Sequence, residues 1–122
     1  GWLDYAGAAL CLIGLYFEAV GDWQLTRFKA NPANAGQVMD QGLWGLTRHP
    51  NYFGDFCVWW GFGLVALAAG ARWSLIGPAL ISVLLLRVSG VTLLERDIGR
   101  RRPGYAEYIR RTNAFFPGPR RP

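Results

Sequence analysis

Gly42-Leu43-Trp44-Gly45-Leu46-Thr47-Arg48-His49-Pro50-Asn51-Tyr52-Phe53-Gly54-Asp55, running into Phe56-Cys57-Val58-Trp59-Trp60-Gly61, passes from a polar loop to an apolar run within a few residues. The switch falls at Pro50, which suits the first turn of a helix because its missing N–H is not needed there. A helix starting at Pro50 places Asn51, Tyr52, Asp55 and Trp59 near one side, at spacings of three and four. Arg48 and His49 stand just ahead of it. There the free backbone donors and the helix dipole both favour an anion. The plainer alternative is a basic loop flanking a membrane helix, with Tyr and Trp as interface anchors.

The 122 residues suffice for one domain. The chain is 52% hydrophobic and 15% aromatic, and its apolar residues come in blocks with the charges between them. Blocks of that kind indicate membrane spans rather than a soluble core. The expectation is an all-α, polytopic membrane helical bundle, a single membrane domain over residues 1–122. Its spans are predicted at about 2–25, 51–70 and 75–94, with a loop over residues 30–41 rich in turn formers. Residues 95–122 form a cytoplasmic tail, in which Tyr105, Tyr108, Ile109 and Thr112 have the spacing of a short amphipathic helix ended by Phe115-Phe116-Pro117. Gly1 leads at once into apolar sequence, which suggests a processed or truncated product, the C-terminal part of a longer protein.

The net charge of +5 invites a nucleic-acid reading, but the placement of the charges argues against it. Arg27, Lys29, Arg48 and every arginine from Arg96 onward fall on one predicted side, and Arg72 marks the other. That is the positive-inside pattern, and it puts the motif loop and the tail in the cytoplasm. Cys11 and Cys57 lie in apolar blocks without CxxC spacing, so a buried structural role is expected. With a single His, no metal site is expected, and without a GxSxG elbow a Ser-His-Asp hydrolase has no support. Glu18 and Asp22 share a helix face that Lys29 extends if the helix continues. Carboxylates at membrane depth usually face a bundle interior. Arg87, in the third block, either pairs with Glu18 or Asp55 or snorkels to the interface. Gly61 and Gly63 permit close helix packing.

Three groups of residues then line up along the chain. Gly21-Asp22-x-Gln24 closes the first block. Gly42-Leu43-Trp44 leads through Arg48-His49-Pro50-Asn51-Tyr52-Phe53-Gly54-Asp55 to Trp60-Gly61. The tail reads Glu95-Arg96-Asp97, then Arg102-Pro103-Gly104-Tyr105-x-x-Tyr108, then Thr112-x-x-Phe115-x-Pro117. In this order they resemble the C-terminal domain of steroid 5-alpha-reductase-like membrane proteins, including bacterial members described as a domain of unknown function.

The resemblance implies a helical bundle in a bacterial inner membrane whose cytoplasmic half encloses NADPH beneath the motif loop and tail. The implied reaction is reduction of an activated, enone-type C=C bond in a lipophilic substrate, steroid-like or isoprenoid. Carried over by position, it makes Asp55 and Tyr52 catalytic and puts Asn51 at the nicotinamide end. Asp22, Arg48, His49, Glu95, Asp97, Tyr105 and Tyr108 would line the cofactor or its closing loops. Forked arginine hydrogen bonds suit a pyrophosphate and a 2′-phosphate. Two alternatives stay open. Isoprenylcysteine carboxyl methyltransferases and phospholipid methyltransferases carry a similar Arg-His-Pro segment and tail, and use S-adenosylmethionine. A non-catalytic membrane scaffold would use the motif only to shape an interfacial loop. The expected partners are a lipophilic small molecule and membrane lipids, without nucleic acid, and the oligomeric state is open.

Overall fold

A computed structural model describes residues 1–88 and 104–122. Regular structure among the described residues is entirely helical: α1 (Trp2–Ala30), α2 (Pro50–Ala68), α3 (Ile76–Val83) and α4 (Tyr105–Arg111). Short 3-10 turns form at Pro32–Asn34 and Gly42–Gly45, and α3 continues as a π-helical turn over Leu84–Val88. The all-α class agrees with the sequence reading.

α1 runs to Ala30, beyond the predicted end near residue 25. Arg27 and Lys29 in its last turn complement the negative end of the helix dipole. The Arg27 guanidinium lies 5.2 Å from the centre of the Trp23 ring, one turn back. The chain leaves the helix at Asn31, whose backbone is extended and whose side chain accepts from the Ala33 N–H at 3.0 Å. An Asx turn ahead of the Pro32 turn thus stops the helix where the predicted loop begins.

α1 and α2 pack together along a line of glycines. The only buried residues of α1 are Gly7, Gly14 and Gly21, spaced seven apart on one face. They meet Gly61, Gly54 and Pro50, so the two helices run antiparallel. A Cβ built on Gly14 would lie 2.5 Å from the Gly54 carbonyl oxygen, and one on Gly7 would lie 2.6 Å from that of Gly61. In the reverse direction, a Cβ on Gly54 would lie 2.5 Å from the Gly14 carbonyl oxygen. Backbone therefore touches backbone, and any side chain would force the helices apart. α3 packs more lightly on α2. Pro78 fits against Gly63, Ser74 Oγ donates to the Gly63 carbonyl at 3.0 Å, and Trp60 Nε1 donates to Ser82 Oγ at 2.9 Å.

The outer face of this bundle is apolar, with Trp2, Leu12, Tyr16, Phe62, Ile76 and Leu80 exposed. Of the three predicted spans, only α1 is long and apolar enough among the described residues to cross a membrane. α2 has 19 residues but opens with Asn51 and Asp55 in its first turns, which lowers its apolar character. α3 is an eight-residue helix with a short continuation, and the rest of the predicted third span lies outside the described residues. Arg87 is exposed and pairs with neither Glu18 nor Asp55.

The glycine seam gives a direct test. Gly14→Ala and Gly54→Ala should each lower stability by about 1–3 kcal/mol, the usual cost of overpacking, read as a drop in thermal midpoint of the purified protein. Gly36→Asn should stay within about 0.5 kcal/mol of wild type. Gly36 has a φ of +77°, which Asn tolerates, and open space around it.

Candidate ligand-binding site at the start of the second helix

α2 begins at Pro50, with His49 as its N-cap. The loop before it is held from two sides. On the α1 side, Leu43 N–H donates to Gln24 Oε1 at 3.0 Å and Trp44 Nε1 donates to the Gly21 carbonyl at 3.0 Å. Gly42 takes a φ of +59°, and a Cβ there would collide with the Gln24 amide at 2.5 Å. The Asn51 amide donates to Asp22 Oδ1.

On the other side the tail closes down on the loop. Thr47 Oγ1 donates to the Phe115 carbonyl at 2.7 Å and accepts from the His49 N–H at 3.2 Å. Arg48 N–H donates to the Asn113 carbonyl at 2.8 Å, and Gly118 N–H donates to that of Leu46 at 3.0 Å. From α4, the Tyr108 hydroxyl donates to the Trp44 carbonyl at 2.5 Å. Phe115 packs edge-on against Phe53 and Phe56 of α2, with ring centres 5.9 and 5.3 Å apart. Thr112, at the end of α4, is buried with an extended backbone, so the helix stops at Arg111 and the strap begins there.

Between these walls lies a cavity of about 230 Å³. Among the described residues, Lys29, Arg48, His49, Asn51, Tyr52, Tyr105 and Tyr108 supply its polar lining, and Leu25, Val38, Met39 and Trp44 its apolar lining. The His49 and Tyr52 rings stack at 5.5 Å with 12° between their planes, and Tyr105 meets Tyr108 edge-on. No carboxylate lines the cavity among the described residues. Burial pushes the Tyr108 phenol well above its ordinary value of 10.0, aided by nearby Tyr105 and opposed by Arg48. With its proton committed to Trp44, Tyr108 acts as a latch.

Six of the residues singled out from sequence therefore gather on one cavity: Arg48, His49, Asn51, Tyr52, Tyr105 and Tyr108. Asp22 stands behind the lining, bonded to Asn51. Asp55 lies one turn further along α2 and is not part of the lining; it sits with Glu18 and Asp22, close enough for the carboxylates to repel one another. Glu95 and Asp97 lie outside the described residues. The sequence reading gave no cavity role to Lys29, Trp44 or Met39, and no structural role to Thr47 or Gln24. Trp44 and Gln24 sat inside the quoted motifs. Lys29 carried a hint as well, since its i+11 spacing from Glu18 holds once α1 continues.

A family described as "Protein of unknown function (DUF1295)" matches residues 1–112. The chain belongs to this family. It is related to the steroid 5-alpha-reductase-like proteins, in agreement with the motif order. The chain is 32% identical over 74 residues to the "Delta(14)-sterol reductase erg24" of Schizosaccharomyces pombe, across 48% of this chain and 18% of that protein. It is 42% identical over 53 residues to the "Probable O-methyltransferase ustE" of Ustilaginoidea virens, across 43% of this chain and 18% of that protein. The chain thus spans less than a fifth of the length of these relatives. No solved structure matches it.

The Tyr108 latch predicts an alkaline signature. The folded protein holds the phenol protonated above its unfolded value of about 10, so this group's contribution to stability is complete below that pH. It falls away as the pH rises above about 10 toward the higher folded-state value. Tyr108→Phe should flatten that decline. It should also cost about 1–3 kcal/mol at neutral pH, because the Trp44 carbonyl loses its donor. Thermal midpoints of both proteins measured against pH will check it.

Proposed function

We propose that this chain forms the cofactor-holding part of a membrane-embedded, NADPH-dependent reductase acting on an activated C=C bond of a lipophilic substrate. The observation that carries the reading is the cavity lining. Lys29 and Arg48 supply fixed positive charge beside flat aromatic walls, and no carboxylate lines the cavity among the described residues. Phosphates of a dinucleotide complement those cations. S-adenosylmethionine carries a sulfonium cation, for which this lining offers a poorer electrostatic match. The cavity lies just below the roughly 300–1,000 Å³ typical of ligand sites and suits one end of a dinucleotide. The Asn51 amide adds support: among the described residues its buried oxygen has no hydrogen-bond partner, while its nitrogen donates to Asp22. That acceptor fits a ligand with an amide donor once the side chain turns toward it.

Bound NADPH supplies a hydride. This chain's own residues bind, orient and hold a proton. Lys29 and Arg48 anchor phosphate, and Trp44 and Tyr105 cover flat rings. Tyr52 lines the cavity, and among the described residues its hydroxyl has no hydrogen-bond partner. We assign it the proton that polarises a substrate carbonyl, since Asp55 is not part of the lining. The apolar outer face of α1 gives a lipophilic substrate a route from the bilayer. A methyltransferase reading is favoured by the match to the O-methyltransferase of Ustilaginoidea virens.

Calorimetry on the full-length protein in nanodiscs distinguishes the two. NADPH should bind, more tightly than NADH. Lys29→Ala and Arg48→Ala should each weaken it about tenfold or more, the loss of a charge-assisted hydrogen bond. Binding of S-adenosylmethionine without NADPH would move the site to methyl transfer. Folded protein that binds neither would leave a scaffold.

A further inference from the structure

Thr47 lies inside the motif loop, is 0% exposed, and is absent from the cavity lining. Its single hydroxyl bridges two chain segments that are far apart in sequence. It donates to the Phe115 carbonyl and accepts from the N–H of His49, the residue that caps α2. Two backbone bonds flank this bridge, Gly118 N–H to the Leu46 carbonyl and Arg48 N–H to the Asn113 carbonyl. Residues 46–48 and 113–118 are therefore laced together, with the Thr47 side chain as the central tie. The cavity walls hang on that lacing from both ends. His49 and Arg48 follow Thr47 directly, and Tyr108 reaches from α4 to the Trp44 carbonyl.

We infer that Thr47 is a positioning residue for this cavity: its hydroxyl fixes the distance between the His49 wall and the tail that carries the tyrosine wall. The inference rests on the reading of the cavity as a cofactor site. A hydroxyl is required because one group must both give and accept a hydrogen bond in a buried place. Valine has the same shape and neither capacity, so Thr47→Val takes from the Phe115 carbonyl its Thr47 donor and from the His49 N–H its Thr47 acceptor. Serine keeps both bonds and loses only a methyl group.

The experiment uses the full-length protein in nanodiscs, as wild type, Thr47→Val and Thr47→Ser. Hydrogen exchange at the amides of His49 and Gly118 is read without cofactor, and NADPH affinity is read by calorimetry. Thr47→Val should speed exchange at both amides and weaken NADPH about tenfold, one hydrogen-bond network's worth, while Thr47→Ser restores both readouts. Unchanged exchange in Thr47→Val overturns the inference, and so does fast exchange with undiminished NADPH affinity. Failure of Thr47→Ser to rescue also overturns it, since packing alone would then explain the loss. If the wild type binds no NADPH, the cofactor reading falls by itself. The positioning role then stands or falls on the exchange pattern of the two variants.

Discussion

Backbone contact between α1 and α2 is the constraint on which the rest of this structure depends. Of the three glycines on α1, every seventh residue, Gly7 and Gly14 face Gly61 and Gly54 on α2 and Gly21 faces Pro50, so along the two glycine pairs the helices touch through carbonyl oxygens and α-carbons. A seven-residue repeat keeps one seam facing a partner helix along its whole length. Contact this close fixes register as well as distance, because a shift of one residue would put a side chain where only hydrogen fits. That register sets Gly21 against Pro50 and Asp22 against Asn51, at the end where the cavity lies.

From that fixed corner the site is assembled by hydrogen bonds to backbone. Gln24 and the Gly21 carbonyl hold the loop from α1, and Thr47 and Tyr108 hold it from the tail. Among the described residues few large hydrophobic residues are buried: the core side chains there are Leu43, Cys57, Leu85, Tyr105, Tyr108 and Phe115. Most of these belong to the cavity end, while the helices present their apolar residues outward. A bundle built this way depends on small-residue contact between helices.

Much of the site was legible because the motif is local. Arg48, His49, Asn51 and Tyr52 follow one another, and Pro50 marks a helix start, so a single turn delivers them together. Tyr105 and Tyr108 share a face of a short helix by spacing alone. Asp55 was harder to place. Its i+4 spacing from Asn51 puts it on the same side of α2, but one turn of helix is 5.4 Å, enough to carry it out of the cavity and toward Glu18. The glycine repeat was present in the sequence as well, at Gly7, Gly14 and Gly21, yet a spacing of seven becomes a packing seam only when a partner helix supplies glycines opposite.

By itself the sequence determined the helical class, the helix start at Pro50, the turn after Asn31 and the membership of the motif cluster. All of these follow from dihedral preference, missing donors and periodicity within a few residues. The tertiary structure alone decided that the tail laces onto residues 46–48 and that Thr47 is the tie. It also decided that Lys29 joins Arg48 at the cavity and that Tyr108 spends its proton on a backbone carbonyl. Those outcomes depend on contacts between segments tens of residues apart, where hydrogen-bond capacity is visible in the sequence but the partner is not.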